Sequence, residues 1–251
     1  MKTSNRIETI KSLVPRGARL LDIGGDHALL PVSLFLDKAI CCAVVTDIRP
    51  GPLARSRVQL EKFCPAARYS LVLSDGFKAV DPNSFDFAAI CGMGGELIGR
   101  IIEEGGEKAR RPMVLQPMTG SEKLRKYLWD NGFEIENEVF VRENPADENF
   151  LNKAFFSKTL SNKNPASQTE RVYVIMLVKP CEAFDKNAKI PYTHAEMYLG
   201  KIRSPGKDFA AYAKKAAKAA EKRLIGLKIR GEDTSETERL IKEAENAQFF
   251  T

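Results

Sequence analysis

The feature that most limits what this chain can fold into is a strand–helix alternation running through its first half. Apolar runs suited to strands lie at Ala18–Ile23, 41–48, 68–73, 85–91 and 112–116, and segments of helical periodicity lie between them near 30–37, 51–63, 95–104 and 121–130. Strands separated by helices pair in parallel, and a parallel sheet needs cover on both faces, so the pattern predicts an α/β doubly wound sheet. A short helix precedes it at 4–13, where Ile7, Ile10 and Leu13 recur at three-residue spacing. In the helix at 121–130, Thr119 and Glu122 have capping-box spacing, Leu124 and Leu128 share a face, and Asn131-Gly132 supplies the stop. Two further strand runs, 133–141 and 171–178, have no helix between them and suit an antiparallel hairpin closing the sheet edge. The polar stretch 144–169 between them reads as a long inserted loop.

After Lys179-Pro180 the character changes, with breaks at Pro191, Gly200 and Ser204-Pro205-Gly206. A helix over 208–229 places Phe209, Ala213, Ala216, Ala220 and Leu227 along one stripe. A second opens at Ser235, with a capping box to Glu238, and carries Leu240, Ile241, Ala244 and Ala247 on one face. With 231–234 as the turn, they form an antiparallel, coiled-coil-like helical hairpin, and the chain divides into a sheet domain at 1–180 and a helical domain at 181–251. The charge sits here as well. Lys207–Arg230 alone carries a net +6, equal to the formal charge of the whole chain. Concentrated charge points to a polyanionic partner, with Lys214, Lys215, Lys218, Lys222 and Arg223 as candidate phosphate contacts; a plain solvated helix face is the alternative.

Composition closes off other classes. A 43% hydrophobic fraction is enough for a core, and 29% charged residues suits a water-exposed surface. No apolar stretch approaches the roughly 20 residues of a membrane span, and the start lacks an apolar export signal, so a cytoplasmic protein is expected. Cys41, Cys42, Cys64, Cys91 and Cys181 form no C-x-x-C pair and read as free, buried thiols. With only His27 and His194 in the chain, neither near a cysteine, no zinc or other metal site is expected.

The first strand ends as Leu21-Asp22-Ile23-Gly24-Gly25-Asp26-His27. In a doubly wound sheet this turn meets the ligand first. A dinucleotide site needs G-x-G-x-x-G so that backbone amides can cradle a pyrophosphate, but Asp26 stands where the second glycine belongs and would repel it. S-adenosylmethionine has no phosphate and carries a sulfonium cation, which a carboxylate favours. The D-x-G pattern resembles the first half of the class I methyltransferase signature. Asp47 ends the second strand, where a carboxylate would accept from ribose hydroxyls, and Asp75 ends the third, where adenine would lie. Each could instead cap the helix that follows. The fourth strand runs into Cys91-Gly92-Met93-Gly94-Gly95, whose glycines allow close backbone approach or a tight turn. These residues, with Gly24, Gly25, Ile48 and Gly76, make up the candidate cofactor site.

Asp22-x-Gly24-x-Asp26-His27-Ala28-x-Leu30-Pro31, Gly92-Met93-Gly94-Gly95-x-Leu97-Ile98 and Leu115-Gln116-Pro117 together resemble the bacterial tRNA (adenine-22-N1)-methyltransferases of the TrmK type. Ser4-Asn5-Arg6-Ile7 and Val141-Arg142-Glu143 also fit, and the likeness covers about residues 4–143 and 171–178. Gly25 and Leu30 stand where Ser and Tyr are common in that family, and Asp47 where Glu is frequent. The resemblance implies a Rossmann-like class I fold with a helical C-terminal appendage, S-adenosylmethionine as cofactor, and methyl transfer to N1 of adenine in the D-arm of tRNA. Within that chemistry Asp26 is expected to hold the exocyclic amine or offset developing charge, with capping of the following helix as the alternative, and His27 to contact the base or the loop, or merely to pack. Pro31, Gly94, Gly95, Gln116 and Pro117 would line the substrate, and the protein would be a monomer or weak dimer. The rival readings are a methyltransferase for a small molecule or protein and a non-catalytic RNA-binding module.

Overall fold

The computed structural model describes residues 3–143, 171–182, 190–201 and 206–247. The stretch expected as an inserted loop, 144–169, lies outside the described residues. Seven strands, β1 (Ala18–Ile23), β2 (Ile40–Asp47), β3 (Tyr69–Leu73), β4 (Phe87–Gly94), β5 (Met113–Thr119), β6 (Phe133–Glu143) and β7 (Arg171–Pro180), form one sheet in the order β3-β2-β1-β4-β5-β7-β6. The first five pair in parallel, while β7 runs antiparallel to both β5 and β6, so the expected closing hairpin is present.

Side chains alternate along each strand, and both faces are apolar. In β1, Leu21 and Ile23 enter the core on one face while Ala18 and Leu20 enter the other; in β7, Val172, Val174 and Met176 oppose Tyr173 and Ile175. Helices α1 (Asn5–Leu13), α2 (Leu29–Leu36) and α3 (Pro50–Phe63) cover the face that holds Leu20. Helices α4 (Gly95–Gly105) and α5 (Ser121–Asp130) cover the other, with Ile98, Ile102, Leu124, Leu128 and Trp129 buried against it.

Beyond β7 come α6 (His194–Leu199), α7 (Lys207–Arg230) and α8 (Ser235–Asn246). Helix α6 was not anticipated; Thr193 and Glu196 form its capping box. The cores of α7 and α8 are continuous with the sheet's: Phe209, Tyr212 and Ala213 are buried in the same cluster as Phe140, and the Phe140 ring lies 5.0 Å from that of Phe209. A buried ion pair binds the junction. Arg125 on α5 donates to Glu138 on β6 at 2.7 Å, and to the carbonyls of Met197 and Tyr198 and the hydroxyl of Tyr212. Gly200 is required beside it, because a Cβ there would meet Glu138 Oε2 at 2.1 Å on a backbone with φ of +82°.

Several local expectations are corrected. Thr119 ends β5 rather than capping α5, whose N-cap is Gly120 with no side-chain bond. Ser235 is the first residue of α8, not its cap, and its hydroxyl donates to Asp233. On α7, Ala213 and Ala220 are buried as expected, but Ala217 is buried in place of Ala216, which is only half-buried. Of the cysteines, Cys64 is buried but Cys41 is exposed, and all are free. Among the described residues no helix is long and apolar enough to cross a membrane, and no group of three or more His, Cys, Asp or Glu could hold a metal ion.

Candidate active site

Strand order reverses between β1 and β4: the chain first builds outward from β1 to β3, then returns to β1's other side. The turns leaving β1 and β4 consequently part to opposite faces, opening a crevice at their carboxyl ends. The β1 turn is pulled tight against its neighbours. Gly24 has φ of +70° and donates to the Thr46 carbonyl, and a Cβ on it would meet Met93 Cε at 2.0 Å. The Gly25 carbonyl accepts from the Ser56 hydroxyl of α3. A Cβ on Gly25 would sit 2.0 Å from Asp22 Oδ2, so the Asp22 carboxylate is tucked directly beneath this backbone.

Asp22 is 4% exposed. Burial pushes its carboxyl up to about 7, with no cation among the described residues opposing that shift. A buried carboxylate without a counter-charge beside a crevice is stabilised in its ionised form by a cationic ligand. Cys91 adjoins it, and burial together with the Asp22 charge holds its thiol protonated, far above the usual range.

After Gly25 the chain enters a short 3-10 turn, Asp26–Ala28, in which both His27 and Ala28 have positive φ, 66° and 49°. Two successive non-glycine residues in the left-handed region store strain, a condition concentrated at functional turns. His27 is half-buried; the side chain of Asp26 lies outside the described atoms. Pro31 is buried in the first turn of α2, where its missing N–H leaves no bond unmade.

Asp47 is 9% exposed, and its Oδ1 accepts from the Arg49 backbone N–H at 2.8 Å, while Oδ2 keeps lone pairs for a hydroxyl. Ile48 next to it is 65% exposed, an apolar side chain left standing on the rim. The Ser74 N–H donates to the Asp47 carbonyl, which ties the ends of β2 and β3 together. Asp75 is exposed and pairs with Lys78 at 2.6 Å, which holds its carboxyl below the usual range. Gly76 follows at φ of +58°.

The end of β4 extends further than its apolar run. Register shifts on either side of Met93 carry the strand through Gly92 to Gly94, with Cys91 opposite Gln116 and Met93 opposite Pro117. Gly92 has φ of +80° and open space where a Cβ would be. Gly95 is different. It is buried, and a Cβ would strike the Gly120 carbonyl at 2.2 Å, so its role is to let the β4 and β5 turns touch. Between the first turns of α4 and α5 lies an open hollow of 680 Å³, lined by Gly94, Leu97, Arg100, Thr119 and Lys123 among others.

Gln116 and Pro117 are buried. Gln116 belongs to a cluster missed by the sequence reading. Arg6 of α1 donates to Gln116 Oε1 and to Glu143 Oε2, both at 3.0 Å, and its guanidinium lies 5.1 Å from the Tyr173 ring centre. Four elements thereby converge on one sheet edge. Glu143 Oε1 is buried with no bond. Lys214, Lys215, Lys218, Lys222 and Arg223 are exposed along α7, and Arg223 donates to the Tyr198 hydroxyl.

The methyltransferase domain family matches residues 3–147. The chain is 32% identical over 145 residues to the tRNA (adenine(22)-N(1))-methyltransferase of Bacillus subtilis, a match covering 57% of this chain and 61% of that protein, less than two thirds of its length. Among solved structures, one from Streptococcus pneumoniae in complex with S-adenosyl-L-methionine aligns over 98% of this chain and 100% of its own, at a TM-score of 0.72 and 25% identity. The B. subtilis m1A22 tRNA methyltransferase TrmK aligns over 99% of this chain and 97% of its own, at a TM-score of 0.69 and 23% identity. The last of these shows a common fold that includes the C-terminal helices. A seven-stranded sheet with this reversal, a glycine turn over a buried strand-end aspartate, and a family match across more than half the chain lead to one statement: the chain belongs to the methyltransferase domain family.

Proposed function

We propose that this protein methylates N1 of adenine 22 in the D-arm of tRNA, using S-adenosylmethionine. The observation that carries the reading is Asp22, a buried carboxylate with no cation shifting it among the described residues, set directly beneath the glycine turn that leaves β1. The activity named for the B. subtilis relative supplies the base and the position. Asp22 would balance the cofactor's positive charge, Asp47 would accept from its ribose hydroxyls, and Ile48 and Gly76 would flank its adenine. When bound, S-adenosylmethionine supplies a methyl group made electrophilic by a sulfonium, open to bonding by a nitrogen lone pair as the sulfide leaves.

Neutral adenine N1 already presents that lone pair, so the chain needs no general base, and positioning supplies much of the rate. N1 is hidden by base pairing, so the nucleotide must be turned out of its stack. The methylated ring is cationic. Asp26, at the start of the strained turn, is assigned to the exocyclic amine or to this charge. Gln116 and Glu143, held by Arg6, would shape the edge against which the base comes to rest. The row from Lys214 to Arg223 would carry phosphates.

The test is incubation with tritiated S-adenosylmethionine and tRNA made without modifications, followed by nucleoside mapping. Label is expected in 1-methyladenosine at position 22; label in guanine or a pyrimidine would discard the base assignment.

A further inference from the structure

A second cavity, of 260 Å³, lies between the β5–α5 turn and α7, with Pro117 of the candidate substrate site among its lining residues. Val172 and Val174 of β7 line it together with Tyr198 and Tyr212, and the exposed Lys215 and Ala219 lie at its opening. The Tyr212 hydroxyl is committed elsewhere: it contacts Ser121 Oγ at 2.8 Å, accepts from Arg125 and donates to the Tyr198 carbonyl. Its ring is thereby fixed in place. Tyr198 is held by Arg223 through its own hydroxyl, at 2.6 Å.

Two properties decide what the cavity suits. It combines two tyrosines and two valines with the hydroxyl-bearing Thr119 and Ser121, a lining that suits a nucleobase better than an aliphatic chain. It also opens at the foot of the cation row on α7, since Lys215 belongs both to the rim and to that row. A polyanion tracking the row would bring a base to the mouth, with its phosphate on Lys215.

We propose that this cleft is a second nucleotide subsite, in which the base of an unpaired nucleotide of the RNA substrate stacks on Tyr198 while the target adenine occupies the crevice by β1 and β4. The assignment rests on the RNA reading above. It gives the junction between sheet and helical segment a recognition role as well as a structural one: Arg125, paired with Glu138, bonds the Tyr198 carbonyl and the Tyr212 hydroxyl.

The experiment measures tRNA affinity by fluorescence anisotropy over a salt series, cofactor affinity by calorimetry, and methyl transfer, for the wild type and four variants. Ala219→Trp fills the mouth from an exposed position, and Tyr198→Ala removes the stacking surface; each should weaken tRNA binding by about tenfold. The salt slope and cofactor affinity should not change. Tyr198→Phe keeps the ring and should stay near wild type. Lys218→Gln, on the row but outside the cleft, should instead make the slope shallower. Wild-type affinity in Ala219→Trp and Tyr198→Ala overturns the subsite, as does a loss accompanied by a shallower slope. A wild-type protein that methylates tRNA with an indifferent Ala219→Trp removes this proposal alone, whereas a wild type that neither binds nor methylates tRNA removes the function as well.

Discussion

Asp22 joins the burial of one side chain to a measurable pH dependence. An Asp ionises near 3.9 in an unfolded chain, whereas burial raises this one to about 7. The folded state thus holds the proton where the unfolded state has lost it, and stability falls as pH rises between those values, then levels off. Asp22→Asn removes the penalty, so the cofactor-free variant should be more stable than wild type at pH 8, by a few kcal/mol at most, and should match wild type at pH 4. Scanning fluorimetry across pH checks this; a variant less stable at pH 8 would contradict it. Cofactor affinity should climb about tenfold from pH 6 to pH 8 in the wild type and stay flat in the variant, because only ionised Asp22 attracts a cation. For Asp26 the expected split differs: Asp26→Asn should lower kcat by at least about tenfold with cofactor Kd unchanged. Equal losses in both would move Asp26 into the cofactor site.

Among the elements, α5 has the heaviest structural duty. Its Arg125 is fully buried against an equally buried Glu138. Removing one partner leaves the other charged and desolvated, a cost of roughly 3–5 kcal/mol. Arg125→Met should lose that much in urea denaturation, and adding Glu138→Leu should recover most of it. If the double variant is no better than the single, the hydrogen bonds to α6 and α7, rather than the ion pair, hold the junction. Helix α7 presents its cations to solvent, so reversing Lys214, Lys215 and Lys218 to Glu should leave the melting temperature nearly unchanged. The tRNA affinity should drop by at least about a hundredfold at low salt, and unchanged affinity on filter binding would refute the row as a phosphate track.

At the scale of the molecule, the sheet and C-terminal helices share one apolar cluster that runs from Leu21 to Ala247. Elements with a common core unfold together. Calorimetry of the full chain should give a single transition with equal calorimetric and van't Hoff enthalpies. Two resolved transitions would mean that the helical segment folds on its own.

Much of this architecture is written locally. The strands of the parallel sheet are near-continuous apolar runs, and four of their five ends carry an aspartate or a glycine cluster, so the α/β class and the carboxylate rim follow from short-range pattern. Local signals misled where two readings use the same residues. Thr119 and Ser235 have cap spacing, yet the strand ladder claimed Thr119 and Asp233 claimed the Ser235 hydroxyl. Helix α6 spans only His194–Leu199, too short to show a period. What no local pattern could reveal is how deep the carboxylates lie and whom they face. Arg6 meets Glu143 across 137 positions, and Arg125 meets Tyr212 across 87. Periodicity fixes which face of an element is apolar, because that depends only on neighbours a few residues away. The burial that shifts Asp22, the strain at His27 and the cleft beneath α7 exist only once distant segments exclude water together, and that belongs to the tertiary structure.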